Sequence, residues 1–408
     1  MGERPAGHGK LKPNLPQPEP RDMGTRLTLV GQGEKAQRVH DLVKAPANTP
    51  ESRRRQASWD ASRPATVYTT PEMLPDGTPC SAATVILRTK GCHWWWSSGC
   101  TFCGYFNDTR DDVTEEDLHA QWDWSATKLN GFADVKMVKV YTSGSLLEDR
   151  EIPVGFQERV LRECAEQGLH LIVESRTEQL TEEKLAWATS FNDDFTVAIG
   201  LEAYDDEVLR FHVNKGFSVR SYDRAVANLK QAGLRVKAYL MFKPPFMSEA
   251  DALDHIVDWI AAIAEDADEI SINPMNIQGG TVIDRLHRAR QYRPPWLWSL
   301  VEMIRRAHPI VHPEGGVNGD PDQISRLIVH PTAGGRVRGS HNCGTCDADV
   351  VAAIERYAVS GDLLEFDGLS CECETRWAAD LDLERALPAP LGLAPSRRAP
   401  AAERLRAP

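Results

Sequence analysis

Short apolar, β-branched runs alternate with capped amphipathic stretches along the middle of this chain, and few folds accept that rhythm. Ala83 to Leu87 (ATVIL), Val135 to Tyr141 (VKMVKVY), Leu169 to Glu174, Thr196 to Glu202 (TVAIGLE), Val236 to Phe242 and Glu269 to Asn273 read as six strands. Between them the pattern predicts helices at Glu115 to Leu129, introduced by Thr114, and at Pro153 to Gln167, stopped by Gly168. Thr181 opens a third, Tyr222 to Ala232 forms a fourth ended by Gly233, and Glu249 to Ala264 a fifth. Parallel strands need crossovers of this kind, so the expected class is α/β with a parallel sheet. Polar residues gather where the strands end, which is where βα-barrels carry their chemistry.

The first strand feeds the run RTKGCHWWWSSGCTFCGYFND, Arg88 to Asp108, with Cys92, Cys100 and Cys103 in a C-x7-C-x2-C pattern. Thiolates hold iron–sulfur clusters or zinc, and a fourth cysteine is missing nearby. Three thiolates on a four-iron, four-sulfur cluster would leave one iron open. The run resembles, in widened form, the cluster loop of radical S-adenosylmethionine (SAM) enzymes. More narrowly, RTKGCHWWWSSGCTFCGY is similar to the loop of the radical SAM subunit of archaeosine synthase (the RaSEA family), a relative of the Elongator catalytic-subunit radical SAM domain.

That resemblance implies a partial (βα)6 barrel holding a 4Fe-4S cluster, whose open iron takes the amino and carboxylate groups of S-adenosyl-L-methionine. It sets Phe102 near the adenine and Ser143, Gly144 and Ser145, within TSGSLLED, near the amino group. Gly144 between two serines also suits a tight turn close to a ligand. Glu174 and Arg176 resemble an ExR motif that faces SAM; a carboxylate and a guanidinium there can hold ribose hydroxyls and a carboxylate. Glu202, with the turn Asn214 to Phe217, matches positions for SAM or substrate. Lys243, fixed by two prolines, can pair with a phosphate or substrate carboxylate, so Glu202 and Lys243 are the catalytic candidates. Asn273 can read a base or the adenine.

A second cysteine group, Cys343-x2-Cys346 and Cys371-x-Cys373, has the make-up of a structural zinc site, with a second cluster as the alternative. The family has a similar arrangement, which extends the resemblance over residues 60–380. Seven of the nine cysteines fall in these two groups, a clustering that favours metal ligation in a reducing compartment over disulfides. Cys80 and Cys164 stand apart and read as inert. From Thr281 to Ser340 nine arginines (285, 288, 290, 293, 305, 306, 326, 336 and 338) face five acids, in a chain whose net charge is −12. With Tyr292, Trp296 and Trp298 they make either an RNA surface or a core helix with arginines outside.

The expected organisation is a flexible segment 1–60, the barrel over 61–280, an arginine-rich and four-cysteine region over 281–383 with a possible tRNA contact, and a disordered tail 384–408 with Arg397, Arg398, Arg404 and Arg406. The longest apolar run, Ile256 to Ala264, is broken by Asp258, and the N-terminus has no apolar signal core, so a cytoplasmic protein without a membrane span is expected. By resemblance, the cluster passes an electron to SAM, and the resulting 5′-deoxyadenosyl radical takes a hydrogen from tRNA. The target base is 7-cyano-7-deazaguanine bearing a lysine added by a partner, ArcS, and C–N cleavage leaves archaeosine. The alternatives are a radical SAM modifier of another tRNA base, like the Elongator subunit, and a non-catalytic, zinc-dependent RNA-binding protein.

Overall fold

Side chains along the central strands alternate between two environments, and this alternation curls the sheet around a polar interior. The computed structural model describes residues 58–312 and 325–386, with Val43 and Gln56. The expectations for segments 1–60 and 384–408 fall, but for their inner ends, outside the described residues. Eight strands lie in chain order in one sheet: β1 (Thr66–Met73), β2 (Pro79–Ile86), β3 (Val135–Tyr141), β4 (His170–Glu174), β5 (Phe195–Glu202), β6 (Arg235–Phe242), β7 (Glu269–Pro274) and β8 (Arg326–Val329). β1 runs antiparallel to β2 and all later pairs are parallel. The seven parallel strands therefore end on one rim. The sheet is a half-barrel with a seam. Arg326, at the start of β8, reaches Glu72 (3.7 Å) and the Met73 carbonyl (3.5 Å) at the end of β1.

The outward face is apolar. Val138, Val140, Leu171, Val173, Val197, Ile199, Val236, Ala238, Ile270 and Ile272 are fully buried against the helices, and each of the larger ones contributes about 1.5–3 kcal/mol. The inward residues of the same strands include Lys139, Tyr141, His170, Glu174, Thr196, Lys237, Tyr239, Glu269 and Asn273, beside a small apolar cluster of Met137, Ile172 and Ala198. A filled barrel core would be apolar throughout, so the polar part of this interior suits a polar occupant.

The helices are α1 (His93–Ser97), α2 (Glu115–Leu129), α3 (Val154–Glu166), α4 (Glu182–Thr189), α5 (Val219–Gln231), α6 (Glu249–Ile263), α7 (Val282–Arg288), α8 (Leu297–Val311), α9 (Asp347–Ser360) and α10 (Cys373–Ala386). Hydroxyls cap five of them. Thr114 forms a capping box with Asp117, and Thr181, Ser218, Ser248 and Thr281 each accept from the amide three residues on. Ser218 starts α5 at Val219, three residues before the sequence pattern does.

The α/β expectation is met and extended. Six strands were expected, and β1 and β8 border them on either side. β8, from the arginine-rich region, pairs with β7. In that region Tyr292, Trp296 and Trp298 are buried, so the core-helix alternative holds and these rings do not form a base-stacking surface. Tyr292 Oη donates to the Lys243 carbonyl at 2.6 Å, and the Arg293 guanidinium covers the Trp296 ring at 3.9 Å.

Candidate active site

The cysteine loop leaves β2 at the carboxyl rim and is tied on three sides. Toward β3, Thr89 Oγ1 donates to the Thr142 carbonyl at 2.5 Å. Toward the turn after β5, the Thr101 amide donates to the Val213 carbonyl (2.9 Å), Trp94 Nε1 to the Asn214 carbonyl (2.8 Å) and Asn214 Nδ2 to the Gly99 carbonyl (2.6 Å). Toward α7, the Val282 amide donates to the Thr101 carbonyl, and the Gly104 amide to Gln278 Oε1 at 2.5 Å. Asn214 is left-handed (φ 57°), a conformation asparagine tolerates better than most residues.

One carboxylate that no sequence motif singles out joins the loop to β3. Glu151 accepts from the His93 amide (2.6 Å) and the Ser145 amide (2.5 Å), and His93 Nδ1 lies 2.9 Å from it. A Cβ on Gly144 would run into this carboxylate and come within 3.1 Å of Cys92 Cα, so only glycine fits there. Glu148, also near His93, is occupied by Arg150 (2.7 Å) and Gln179 (2.5 Å). The His93, Glu148 and Glu151 group is therefore a satisfied hydrogen-bond network, not a set of vacant ligands. The one trace of Glu151 in the sequence is its place as an acid closing a polar tract, two residues before the helix-starting Pro153.

Positive charge faces the cysteines. Arg176 is buried, donates to the Lys215 carbonyl (3.1 Å) and to Glu178 (2.6 Å), and lies between the Trp94 and Phe217 rings. Its Nε is buried without a partner among the described residues. Lys215 donates to Glu202 Oε1 at 2.8 Å, with Gly200 leaving the room for this pair. Burial raises all three thiols, Cys100 to about 11, while Arg176 opposes the rise at Cys92 and Lys215 at Cys100 and Cys103. Burial pushes Glu174 up to about 7; Lys215 opposes this and Glu202 adds to it. The Glu174 carboxyl and the half-buried Asn273 amide make no hydrogen bond among the described residues.

Ser143, Glu202 and Lys243, each at or just past the carboxyl end of its strand, have φ of 58°, 69° and 60°. Such backbone costs about 1–3 kcal/mol per residue and persists where surrounding structure imposes it, commonly at functional sites. Phe102 packs against Met241, Met275 and Ile283. The structure thus gathers Cys92, Cys100, Ser145, Glu174, Arg176 and Glu202 about one rim. Lys243 is engaged elsewhere: its Nζ donates to buried Glu249 at 2.7 Å, and Glu249 also accepts from the Trp296 amide at 2.8 Å.

Archaeosine synthase subunit beta of Methanosarcina acetivorans is 34% identical over 328 residues, 79% of this chain and 91% of that protein. The chain belongs to the archaeosine synthase subunit beta family. The protein of that name from Thermococcus kodakarensis is 31% identical over 320 residues, 76% of this chain and 94% of its own length. Among solved structures, Elp3 of Methanocaldococcus infernus overlaps 63% of this chain and 60% of its own (17% identity, TM-score 0.43). Methylornithine synthase overlaps 59% and 68% (16% identity, TM-score 0.41). No protein-family model matches the chain. The family expectation drawn from the cysteine loop is met.

The second cysteine group converges. Cys343 and Cys371 sulfurs are 3.7 Å apart and those of Cys346 and Cys373 3.6 Å, and all four lie within 4.8 Å of one another. Zinc–sulfur bonds of about 2.3 Å give a tetrahedron edge of about 3.8 Å. Sulfurs on the separate irons of a four-iron cluster stand farther apart, so the spacing fits a single ion. Trp298 Nε1 donates to Cys373 (3.2 Å) and Asn342 Nδ2 to Cys346 (3.3 Å), the outer bonds that orient thiolate ligands. The Thr345 and Cys346 amides hold the Cys343 thiol down at about 6. Among the described residues no helix is long and apolar enough to cross a membrane.

Proposed function

We propose that this protein is the radical SAM subunit of an archaeosine synthase, acting on tRNA whose 7-cyano-7-deazaguanine carries a lysine and breaking a C–N bond of that lysine's side chain. The observation that carries this reading is the three-cysteine loop facing buried Arg176, whose Nε lacks a partner among the described residues, within a member of this family. Three thiolates without a fourth suit a 4Fe-4S cluster with one open iron, and the orphan guanidinium nitrogen suits the anion that would complete it. Cys92, Cys100 and Cys103 would hold the cluster, and the Ser143 to Ser145 turn, Glu174, Arg176 and Asn273 would hold SAM. Together these groups supply a carbon radical able to remove a hydrogen atom from substrate.

The protein's own residues then have defined tasks. Glu151 fixes the Ser145 turn against the cysteine loop. Arg176 and Lys215 offset negative charge at the rim, and the apolar packing around Phe102 and Trp94 excludes water. For tRNA, the exposed Arg285 and Arg288 of α7, with Arg290 just past it, flank the site, because α7 is bonded to the cysteine loop. Exposed Tyr105 and Trp96 on that loop suit unpaired bases. Zinc is the ion proposed for Cys343, Cys346, Cys371 and Cys373, and ArcS, which transfers the lysine, is the proposed partner in a cytoplasmic hetero-oligomer.

The test is anaerobic. The protein is reconstituted with iron and sulfide, reduced in the presence of SAM, and assayed for 5′-deoxyadenosine with and without lysine-modified tRNA. Product stimulated by that tRNA, and lost in Cys100→Ala, is expected. Cleavage without stimulation would remove the substrate, and no cleavage by folded, iron-loaded protein would remove the mechanism.

A further inference from the structure

The inner face of the half-barrel carries more positive charge at its floor than it neutralises. Lys139 on β3 and Lys237 on β6 point inward from opposite sides, and both are buried. Lys139 is paired with Glu72 of β1, and Lys237 with Glu269 of β7. Arg326 of β8 then adds a third cation to the same two carboxylates, 3.2 Å from Glu269 and 3.7 Å from Glu72. Three cations thus share two carboxylates. Arg326 is partly exposed and also donates to the Met73 and Ala358 carbonyls, so the two lysines are the buried members of this surplus; burying an ion costs several kcal/mol, and an incoming anion would offset it. Lys139 registers this: burial first, then the nearby Lys237, lowers its pKa. The next carboxyl upward, Glu174, stands a layer above.

That layer is a passage. Tyr141 and Tyr239 face each other with hydroxyls 3.2 Å apart, and among the described residues their oxygens bond only to one another. Tyr141, Tyr239 and Glu174 are half-buried, whereas their outward-facing neighbours Val140, Ala238 and Val173 are fully buried, so what these three leave accessible lies on the inner face, with Tyr239 resting on the apolar cluster of Met137, Ile172 and Ala198. Lys139 lies two residues, about 7 Å, below Tyr141. An aliphatic arm of lysine length spans that interval.

We propose that this floor is a carboxylate-binding site, in which Lys139 and Lys237 take the α-carboxylate of the lysine carried by the substrate base. The site rests on the substrate proposed above and deepens it. Recognition of the carboxylate selects an amino acid over a plain amine, and it holds the aliphatic arm upright with its far end at the rim, beside the cysteine loop. Lys139 and Lys237 are specificity residues here; neither touches the reacting bond.

The experiment compares three synthetic tRNA stem–loops binding to the full-length protein, reconstituted anaerobically with its cluster. One carries the lysine adduct, one the adduct of cadaverine (the same diamine without the carboxylate), and one the unmodified base. The lysine adduct is expected to bind at least tenfold tighter than the cadaverine adduct, and Lys237→Met to abolish that ratio, with Lys139→Met reducing it. Equal binding of the two adducts, both tighter than the unmodified RNA, would overturn the floor site and leave the proposed function standing. No preference for either adduct over unmodified RNA would overturn the substrate and the floor site together. The wild-type arm decides between these outcomes even where a variant fails to fold, which its melting curve reports.

Discussion

Glu174→Gln tests the site through stability before any catalysis is measured. The fold raises this carboxyl from 4.5 to about 7, largely by burial, without giving it a hydrogen-bond partner among the described residues. A raised carboxyl binds its proton more tightly in the folded state. Stability is therefore greatest at or below about pH 4.5 and falls as pH rises toward about 7, above which the whole penalty is present. The rise corresponds to about 3 kcal/mol, and the partly open position of Glu174 screens it to about 1–2 kcal/mol. Glutamine has no charge to desolvate. The variant is expected to melt above wild type by a few degrees at about pH 8, at roughly 2–4 °C per kcal/mol, and to match it near pH 4.5. Calorimetry of the iron-free protein over that range is the assay. A constant difference at every pH would refute a shifted titration at Glu174. The same substitution is expected to weaken SAM binding in the reconstituted protein, so stability and function move in opposite directions.

Glu151→Ala leaves the His93 and Ser145 amides unpaired, at about 1–3 kcal/mol each, and is expected to lower both the melting temperature and SAM affinity; unchanged equilibrium dialysis would contradict the bridging role. Gly144→Ala drives a Cβ into Glu151 and toward Cys92, so iron incorporation on reconstitution should fall while tRNA binding persists. Elemental analysis should find one zinc per protein molecule, and Cys346→Ser should lose it and speed hydrogen exchange in α9 and α10; an unchanged metal content rules the site out. Lys243→Met strands buried Glu249 and is expected to cost about 3–5 kcal/mol in urea melts, with Glu249→Gln recovering part of it; a cost below about 1 kcal/mol would free Lys243 for a role at the rim.

The six central strands were legible because their outward residues are nearly all Val, Ile, Leu, Ala or Phe. The lysines of VKMVKVY were equally legible, though not their meaning: one of them, Lys139, is half of a polar interior that only the curled sheet assembles. β1 escaped because TVYTTPEM is half-exposed, contains Pro71, and gains its order from pairing with β2. β8 escaped because four residues, RLIV, carry no period of their own. At the rim, motif residues stood next to the strand ends and could be read in line. Glu151 could not, since its partners lie 58 and 6 residues away and neither distance leaves a pattern. The tryptophans of α8 and its cap left two readings open for a related reason: arginine beside tryptophan reads alike whether the ring faces RNA or the core.

The seam between β1 and β8 also sets the order in which the protein matures. Glu72 is made early and Arg326 some 250 residues later, and their contact spans 3.7 Å across the open side of the sheet. A nascent polypeptide leaving the ribosome must carry β7 with a bare strand edge, and Glu72 without its Arg326 contact, until the last strand arrives. Synthesis halted before β8 would therefore yield an aggregation-prone fragment, even though every residue of the cysteine loop is already present.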